Sequence, residues 1–340
     1  MPGPPAAVAA VRAAVRRALT GLDLADGALV LVACSGGADS LALAAATAFV
    51  APRLRLRAGA VVVDHGLQEG SSQVAAAAAV RCRDLGLDPV EVAQAEVGAS
   101  GEGPEADART ARYAALSTSA HRLGASAVLL GHTLDDQAEQ VLLGLARGSG
   151  SRSLSGMPPV RGLVPRAGDP AAGPTTVVRP FLGVARATTV AACADLGLQP
   201  WQDPHNEDER YLRVRARRAL ADLEADLGPG LVAGLARTAD LLRDDAAALD
   251  EAAHAAYLRL GGPPWPVDVL AALPRAVRTR LWRQAALAAG SPGTDLTSRH
   301  LLAVDELVTA WRGQGPLHLP GGVRAHRSGG EVGVAPRPDC

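Results

Sequence analysis

Residues 27–34 read GALVLVAC, an unbroken apolar run, and comparable runs recur at 57–63, 89–97 and 125–131. Runs this short and this uniformly apolar predict strands covered on both faces. Between and after them, the stretches 39–50, 71–86, 104–123 and 135–147 carry Ala and Leu at helical spacing. Strand and helix in regular alternation predict an α/β fold, a parallel sheet with helices on both faces. Ligands of such sheets bind at the carboxyl ends of the strands. The polar residues that follow each strand are therefore the informative ones: Ser35 to Ser40, then Asp64 and His65, then His132 to Asp136.

Residues 148–180 break the alternation with Gly-, Ser- and Pro-rich sequence such as GSGSRSLSGMPPV and AGDPAAGP. A connection of that length inside a compact domain is either functional or disordered. A further strand, TVVRPFL, and a helix over Ala185 to Leu196 follow, and then the loop WQDPHNEDE. Beyond Arg210 the pattern is helical to about Leu260, breaks at GGPPWP, resumes as helix, and ends from Gly313 in short Val- and Gly-rich strand-like pieces. No internal repeat is present. These shifts predict two domains, 1–220 and a mainly helical 221–340. The opening stretch AAVAAVRAAVRRALTG reads as an ordinary first helix in preference to a transit peptide.

Composition changes the picture in three ways. At 340 residues and 48% hydrophobic, the chain can bury a sizeable core. Its 34 basic and 35 acidic residues nearly cancel, so any nucleic-acid surface must be a local patch. The chain has no lysine, so every fixed cation is an arginine, which serves neither as general base nor as Schiff-base amine. Its four cysteines, Cys34, Cys82, Cys193 and Cys340, form no CxxC pair, which fits a reducing cytoplasm. The apolar run from Leu41 to Pro52 is too short to span a bilayer, and no membrane association is expected.

The first strand ends in Ser35-Gly36-Gly37-Ala38-Asp39-Ser40 and runs into a helix. Main-chain amides at a helix N-terminus, unobstructed at Gly36 and Gly37, form an anion cradle to which Ser35 and Ser40 add hydroxyls. A helix end supplies only about half a positive charge, too little for a nucleotide triphosphate. Asp39 therefore makes most sense as a ligand of Mg²⁺ bridging to phosphate, with Asp135 and Asp136 as candidates to complete the site. The Walker A pattern is absent. GEGPEA at 101–106 formally fits a dinucleotide fingerprint, but Pro104 reads as a first-turn helix residue and no suitably spaced acid follows. ACSGG resembles a nucleophile elbow around Ser35, yet leaves Asp39 and Ser40 without a role.

The loop Ser35 to Ser40 resembles the SGGxDS loop of the N-type ATP pyrophosphatases. VDHGL at 63–67, PEADARTARYAAL at 104–116, GHTLDDQAEQVLLGLARGSG at 131–150, SLSGM at 153–157, RPFLGVAR at 179–186 and DPHNED at 203–208 narrow the resemblance. In that order they are similar to bacterial tRNA(Ile)-lysidine synthases over roughly residues 25–220. The resemblance implies an adenine nucleotide alpha hydrolase-like fold and ATP with Mg²⁺ as cofactors. It implies adenylation of carbon 2 of the wobble cytidine in an isoleucine tRNA with anticodon CAU, then displacement of AMP by free L-lysine. It implies that Ser35 to Ser40 with Asp64 and His65 bind ATP, that Asp39, Asp135 and Asp136 hold the metal, and that His132 or a carboxylate takes the lysine proton. Arg109, Arg112, Arg147, Arg210, Arg213, Arg215 and Arg217 are the implied tRNA contacts, and a homodimer is allowed. Helix pairing of Arg109 with Glu105, and a solvated face for the run ERYLRVRARRAL, are the structural alternatives. Gln68, Gln140, His205 and Val214 depart from the family pattern. A tRNA thiolase shares the loop but normally has paired cysteines.

Overall fold

The computed structural model describes residues 3–64, 66, 70–96, 98, 104–148, 150–163, 175–203 and 208–337. His65, expected to lie near the nucleotide, and His205 fall outside the described residues, as does the GEG of the fingerprint-like GEGPEA.

The chain divides into two compact units, residues 1–147 with 156–239, and residues 148–155 with 240–340. The first contains α1 (Ala6–Thr20), β1 (Leu29–Ala33), α2 (Ala38–Val50), β2 (Arg57–Asp64), α3 (Ser71–Asp84), β3 (Val90–Gln94), α4 (Pro104–Arg122), β4 (Ala125–Leu129) and α5 (Leu134–Ala146). After the short α6 (Ser151–Leu154), which belongs to the second unit, come β5 (Val160–Leu163), β6 (Thr175–Val178), α7 (Arg186–Asp195) and α8 (Leu212–Leu227). Helix α9 (Leu231–Leu260) runs from the first unit into the second.

The sheet has the order β3-β2-β1-β4-β6-β5, parallel throughout except for β5, which pairs antiparallel with β6. Strand β5 lies in the stretch read as loop; its VRGL is too short and too polar to announce a strand. Along β1 the side chains alternate between two cores. Val30 and Val32 join Val11, Val15, Leu41, Leu43, Cys82 and Cys193, from α1, α2, α3 and α7. Leu29 and Leu31 join Leu116 and Ala120 of α4 on the other face. Both sets are at most 4% exposed, which is why the strand reads as continuous apolar sequence. Helix α1 buries Val8, Val11, Ala14, Val15 and Leu19, as expected of a packed first helix.

From β1 the chain steps one way to β2 and β3, then crosses back to β4 on the other side. The gap between β1 and β4 is thus the topological switch point, where a crevice opens at the strand ends. Gly131, just after β4, sits against the first turn of α2: a Cβ there would stand 3.1 Å from the Asp39 carbonyl. That approach brings the two strand-end loops together.

The second unit adds β7 (Trp265–Pro266), α10 (Val267–Ala271), α11 (Arg275–Ala288), α12 (Ser298–Thr309), β8 (Leu317–Leu319), β9 (Val323–Ser328) and β10 (Glu331–Pro336). Its sheet has the order β7-β10-β9-β8 and is antiparallel. Trp265 and Trp282, both 1% exposed, pack with Leu281 and Leu307 at its centre. Among the described residues no helix is long and apolar enough to cross a membrane.

Candidate active site

The Ser35–Ser40 loop is closed by its own hydroxyls. Ser40 Oγ donates to the Gly37 carbonyl at 3.0 Å and accepts from the Ser35 amide at 3.2 Å. The Ser35 and Ser40 hydroxyls lie 3.3 Å apart. Gly36 has φ +85°, a conformation that L side chains rarely adopt, and its carbonyl accepts the Trp201 amide at 2.9 Å. Gly37 is the N-cap of α2 and provides no side-chain cap. The amides of Ala38, Asp39 and Ser40 therefore have no intrahelical acceptor, and the loop presents them as an anion cradle. Among the described residues Ser35 has the Ser40 hydroxyl as its partner and no histidine bonded to it, so the elbow arrangement has no support there.

Beside the cradle stands an acidic cluster. Helix α5 begins with a capping box in which the Asp136 carboxylate accepts from the Thr133 amide at 2.7 Å and its hydroxyl at 2.9 Å. Asp135 accepts the Arg186 amide at 2.7 Å and so caps α7 from a neighbouring helix. The Arg186 guanidinium reaches Asp136 Oδ1 at 2.7 Å, Asp39 Oδ2 at 3.3 Å and Glu139 Oε1 at 3.4 Å. Thr189 donates to the other Asp39 oxygen, and Arg217 donates to Glu139 at 2.8 Å. Burial works against the Arg186 charge, yet Asp136, Asp39 and Glu139 shift its pKa upward. Burial would also raise Asp136, but Arg186 and the Thr133 amide hold it below the usual carboxylate range. At Asp39 burial prevails over Thr189 and Arg186, and its pKa is raised.

This geometry bears on the expected metal site. Asp39, Asp135 and Asp136 do converge, but each already serves Arg186 or a helix cap, and Arg186 holds the position between Asp39 and Asp136. Among the described residues no group of three His, Cys, Asp or Glu is arranged to hold a metal ion. The residues thus do not fit a preformed three-carboxylate Mg²⁺ cage. Arg186→Ala would leave Asp39, Asp136 and Glu139 without their shared cation. Because the cluster is only partly exposed, we expect this to destabilise the first unit by about 2–4 kcal/mol. An unchanged urea midpoint would contradict that expectation.

The other candidates separate. Asp64 is 4% exposed, and its oxygens accept from the Gly66 amide at 3.0 Å and Gln94 at 3.2 Å, the turn-capping alternative. Arg217, from the arginine run, turns inward to Glu139, whereas Arg210 is exposed and bound to Asp208. Arg215 donates to the Glu209 carbonyl at 2.8 Å, and Arg147 is exposed at the end of α5. Arg109, Arg112 and Arg213 act electrostatically on one another or on His132. His132 is lowered to about 3 by burial and by Arg112. Sequence reasoning did not single out Glu139, Arg186 or Thr189. Glu139 had a legible signal, since it follows Asp136 by three residues on one helix face.

Comparison with known proteins agrees with this arrangement. A PP-loop domain model matches residues 12–224, and a TilS substrate binding domain model matches residues 266–332. The tRNA(Ile)-lysidine synthase of Thermobifida fusca is 56% identical over 338 residues, covering 98% of this chain and 99% of its own. That of Streptomyces coelicolor is 52% identical, covering 97% and 98%. The solved U34-tRNA thiolase of Methanococcus maripaludis superposes with a TM-score of 0.56 over 70% of this chain and 80% of its own, at 18% identity, a likeness of fold alone. With an SGGADS cradle facing an acidic cluster across a switch point, and with full-length relatives of one kind, the chain belongs to the tRNA(Ile)-lysidine synthase family.

Proposed function

We propose that the chain ligates L-lysine to the wobble cytidine of an isoleucine tRNA with anticodon CAU. In the first step the cytosine O2 attacks the α-phosphorus of ATP, and pyrophosphate leaves. In the second, the lysine ε-amine attacks carbon 2; the new C–N bond forms, the C2–O2 bond breaks, AMP departs and the amine loses a proton. The observation that carries this reading is the uncapped N-terminus of α2 behind Gly36 and Gly37, beside the carboxylates of Asp39, Asp135 and Asp136. The amides would receive phosphate oxygens, and the acidic cluster suits the lysine ammonium. Mg²⁺ belongs to this reading as a companion of the ATP phosphates, since it commonly keeps waters and takes few protein ligands. Buried free thiols at Cys34, Cys82 and Cys193 accord with a cytoplasmic setting. A homodimer is testable by light scattering.

The experiment is pyrophosphate release with CAU-anticodon tRNA, followed by transfer of labelled amino acid to the tRNA. Lysine alone should be incorporated, and only into that tRNA. Incorporation of another amino acid in preference, or pyrophosphate release indifferent to the anticodon, contradicts the proposal.

A base with a conjugate acid near pH 3 removes an ammonium proton only weakly. Within the proposal, Asp39, whose pKa is raised, is better matched to that task, and His132 acts as a neutral group. The linkage has a definite sign. Between about pH 3 and pH 6.5 the unfolded chain binds a proton at His132 that the folded chain does not. Stability should therefore fall on acidification through that window. His132→Gln is expected to flatten this fall, measured as urea midpoints at pH 7, 6 and 5. Parallel pH dependence in both proteins would contradict it.

A further inference from the structure

Among the described residues, three buried thiols pack in the core beneath the phosphate loop: Cys34 between β1 and Ser35, Cys82 on α3 and Cys193 on α7. The Cys34 and Cys82 thiols are hydrogen-bonded to each other. Their elements meet at the loop itself. A Cβ on Gly36 would stand 3.3 Å from the Ala78 Cβ, and Cys82 follows Ala78 by one turn on the buried face of α3. Cys34 Sγ is also 3.7 Å from Ser40 Oγ, the hydroxyl that closes the loop. The Cys193 thiol instead donates to the Ala38 carbonyl at 3.4 Å.

No step of the ligation uses a thiol, yet these three are not alike. The bond from Cys82 lowers the Cys34 thiol to about 7 against the effect of burial, helped by a backbone bond from Gly36, by Ser40 and by Arg81. Burial and then the Asp39 charge push Cys193 up to about 11. Cys82 is held in the thiol form, chiefly by its bond to Cys34 and then by burial and the Cys34 charge. Ser35, the next residue after Cys34, is exposed. A small oxidant that reaches the loop therefore meets first the sulfur that ionises most readily, and thiolate is the reactive form.

We propose that Cys34 and Cys82 form a peroxide-sensitive dithiol whose closure to a disulfide disables the phosphate loop. The Cys34 thiolate attacks one peroxide oxygen; the O–O bond breaks, and the departing hydroxide regains the proton that Cys34 gave up. Cys82 sulfur then attacks the sulfenic acid on Cys34; the S–S bond forms, the S–O bond breaks, and hydroxide leaves as water with the Cys82 proton. Two thiols thus lose two electrons and two protons, and peroxide becomes two waters. A disulfide holds its sulfurs about 2.0 Å apart, far inside the contact distance of two thiols. Closure draws Cys34 toward α3, where Gly36 already meets Ala78. The loop yields by shifting its amides, and a displacement of about 1 Å from the reacting geometry costs about 10²-fold in rate. The dithiol stands apart from the ligation; only its effect on ATP rests on the function proposed above.

The test treats the full chain with hydrogen peroxide and reads peptide masses, the Kd of a non-hydrolysable ATP analogue and pyrophosphate release. The expected products are a Cys34–Cys82 cross-linked fragment, two hydrogens lighter than the free peptides, and full recovery in dithiothreitol. The ATP-analogue Kd should rise about 10-fold or more and pyrophosphate release should fall about 10²-fold. Cys82→Ala is expected to keep its activity when reduced and to resist peroxide, whereas Cys193→Ala stays as sensitive as the wild type. Absence of the cross-link from the wild-type mass map overturns the proposal whether or not either variant folds. So does a cross-link that leaves the ATP-analogue Kd unchanged, or equal inactivation of Cys82→Ala. If reduced wild-type protein binds no ATP analogue, the functional reading fails instead, while the mass map still decides the dithiol.

Discussion

Asp39→Ala is expected to lower tRNA-dependent pyrophosphate release by about 10²-fold or more, the cost of moving phosphate-binding donors by about 1 Å from the reacting geometry. Asp39 sits in the first turn of α2, within the cradle, and joins that turn to α7 through Thr189 and Arg186. Its loss would free Arg186 to turn toward its two remaining carboxylates and would loosen the turn whose amides have to meet phosphate. Asp39→Asn keeps the shape and the Thr189 contact while removing the charge, so it separates positioning from electrostatics. Undiminished pyrophosphate release by Asp39→Ala would refute the assignment of this site.

Asp305→Ala is expected to destabilise the second unit by about 3–5 kcal/mol, the effect of removing one partner from a buried ion pair. Asp305 and Arg278 are each 5% exposed and form a two-pronged pair, Nε–Oδ1 at 2.5 Å and Nη2–Oδ2 at 2.9 Å. Trp282 Nε1 donates to the same carboxylate at 3.2 Å. The substitution leaves a buried guanidinium with only the Leu270 and Leu273 carbonyls, at 3.4 and 2.9 Å, and an indole N–H without its acceptor. Thermal unfolding followed by tryptophan fluorescence should move to markedly lower temperature, because Trp265 and Trp282 both lie in this core. A change of less than 1 °C would contradict the account of this pair.

What the sequence disclosed depended on how local each signal was. Strand β1 was legible because a strand buried on both faces must be apolar at every position, and LVLVA is. The cradle was legible because it needs only consecutive residues: two glycines, a helix start and flanking hydroxyls. The Arg186 cluster was not, for it joins residues 39, 136, 139 and 186, which the crossover from β3 to β4 and the pairing of β6 beside β4 bring together. For the same reason the acids after β4 invited a metal reading, whereas the folded chain supplies its own cation. The arginine run on α8 illustrates the converse: composition made it one basic patch, but helical geometry turns Arg217 inward and Arg215 back onto the Glu209 carbonyl. Strand β5 escaped notice because an edge strand of four residues carries too little pattern.

In the function proposed above, main-chain amides around Gly36 and Gly37, rather than any lysine side chain, take hold of the ATP phosphates. Amide chemical shifts in ¹⁵N-labelled protein, titrated with a non-hydrolysable ATP analogue and Mg²⁺, test it most directly. The account predicts that the largest downfield amide-proton shifts fall on Gly36, Gly37, Ala38 and Asp39. Saturable nucleotide binding that leaves those four resonances in place would contradict it.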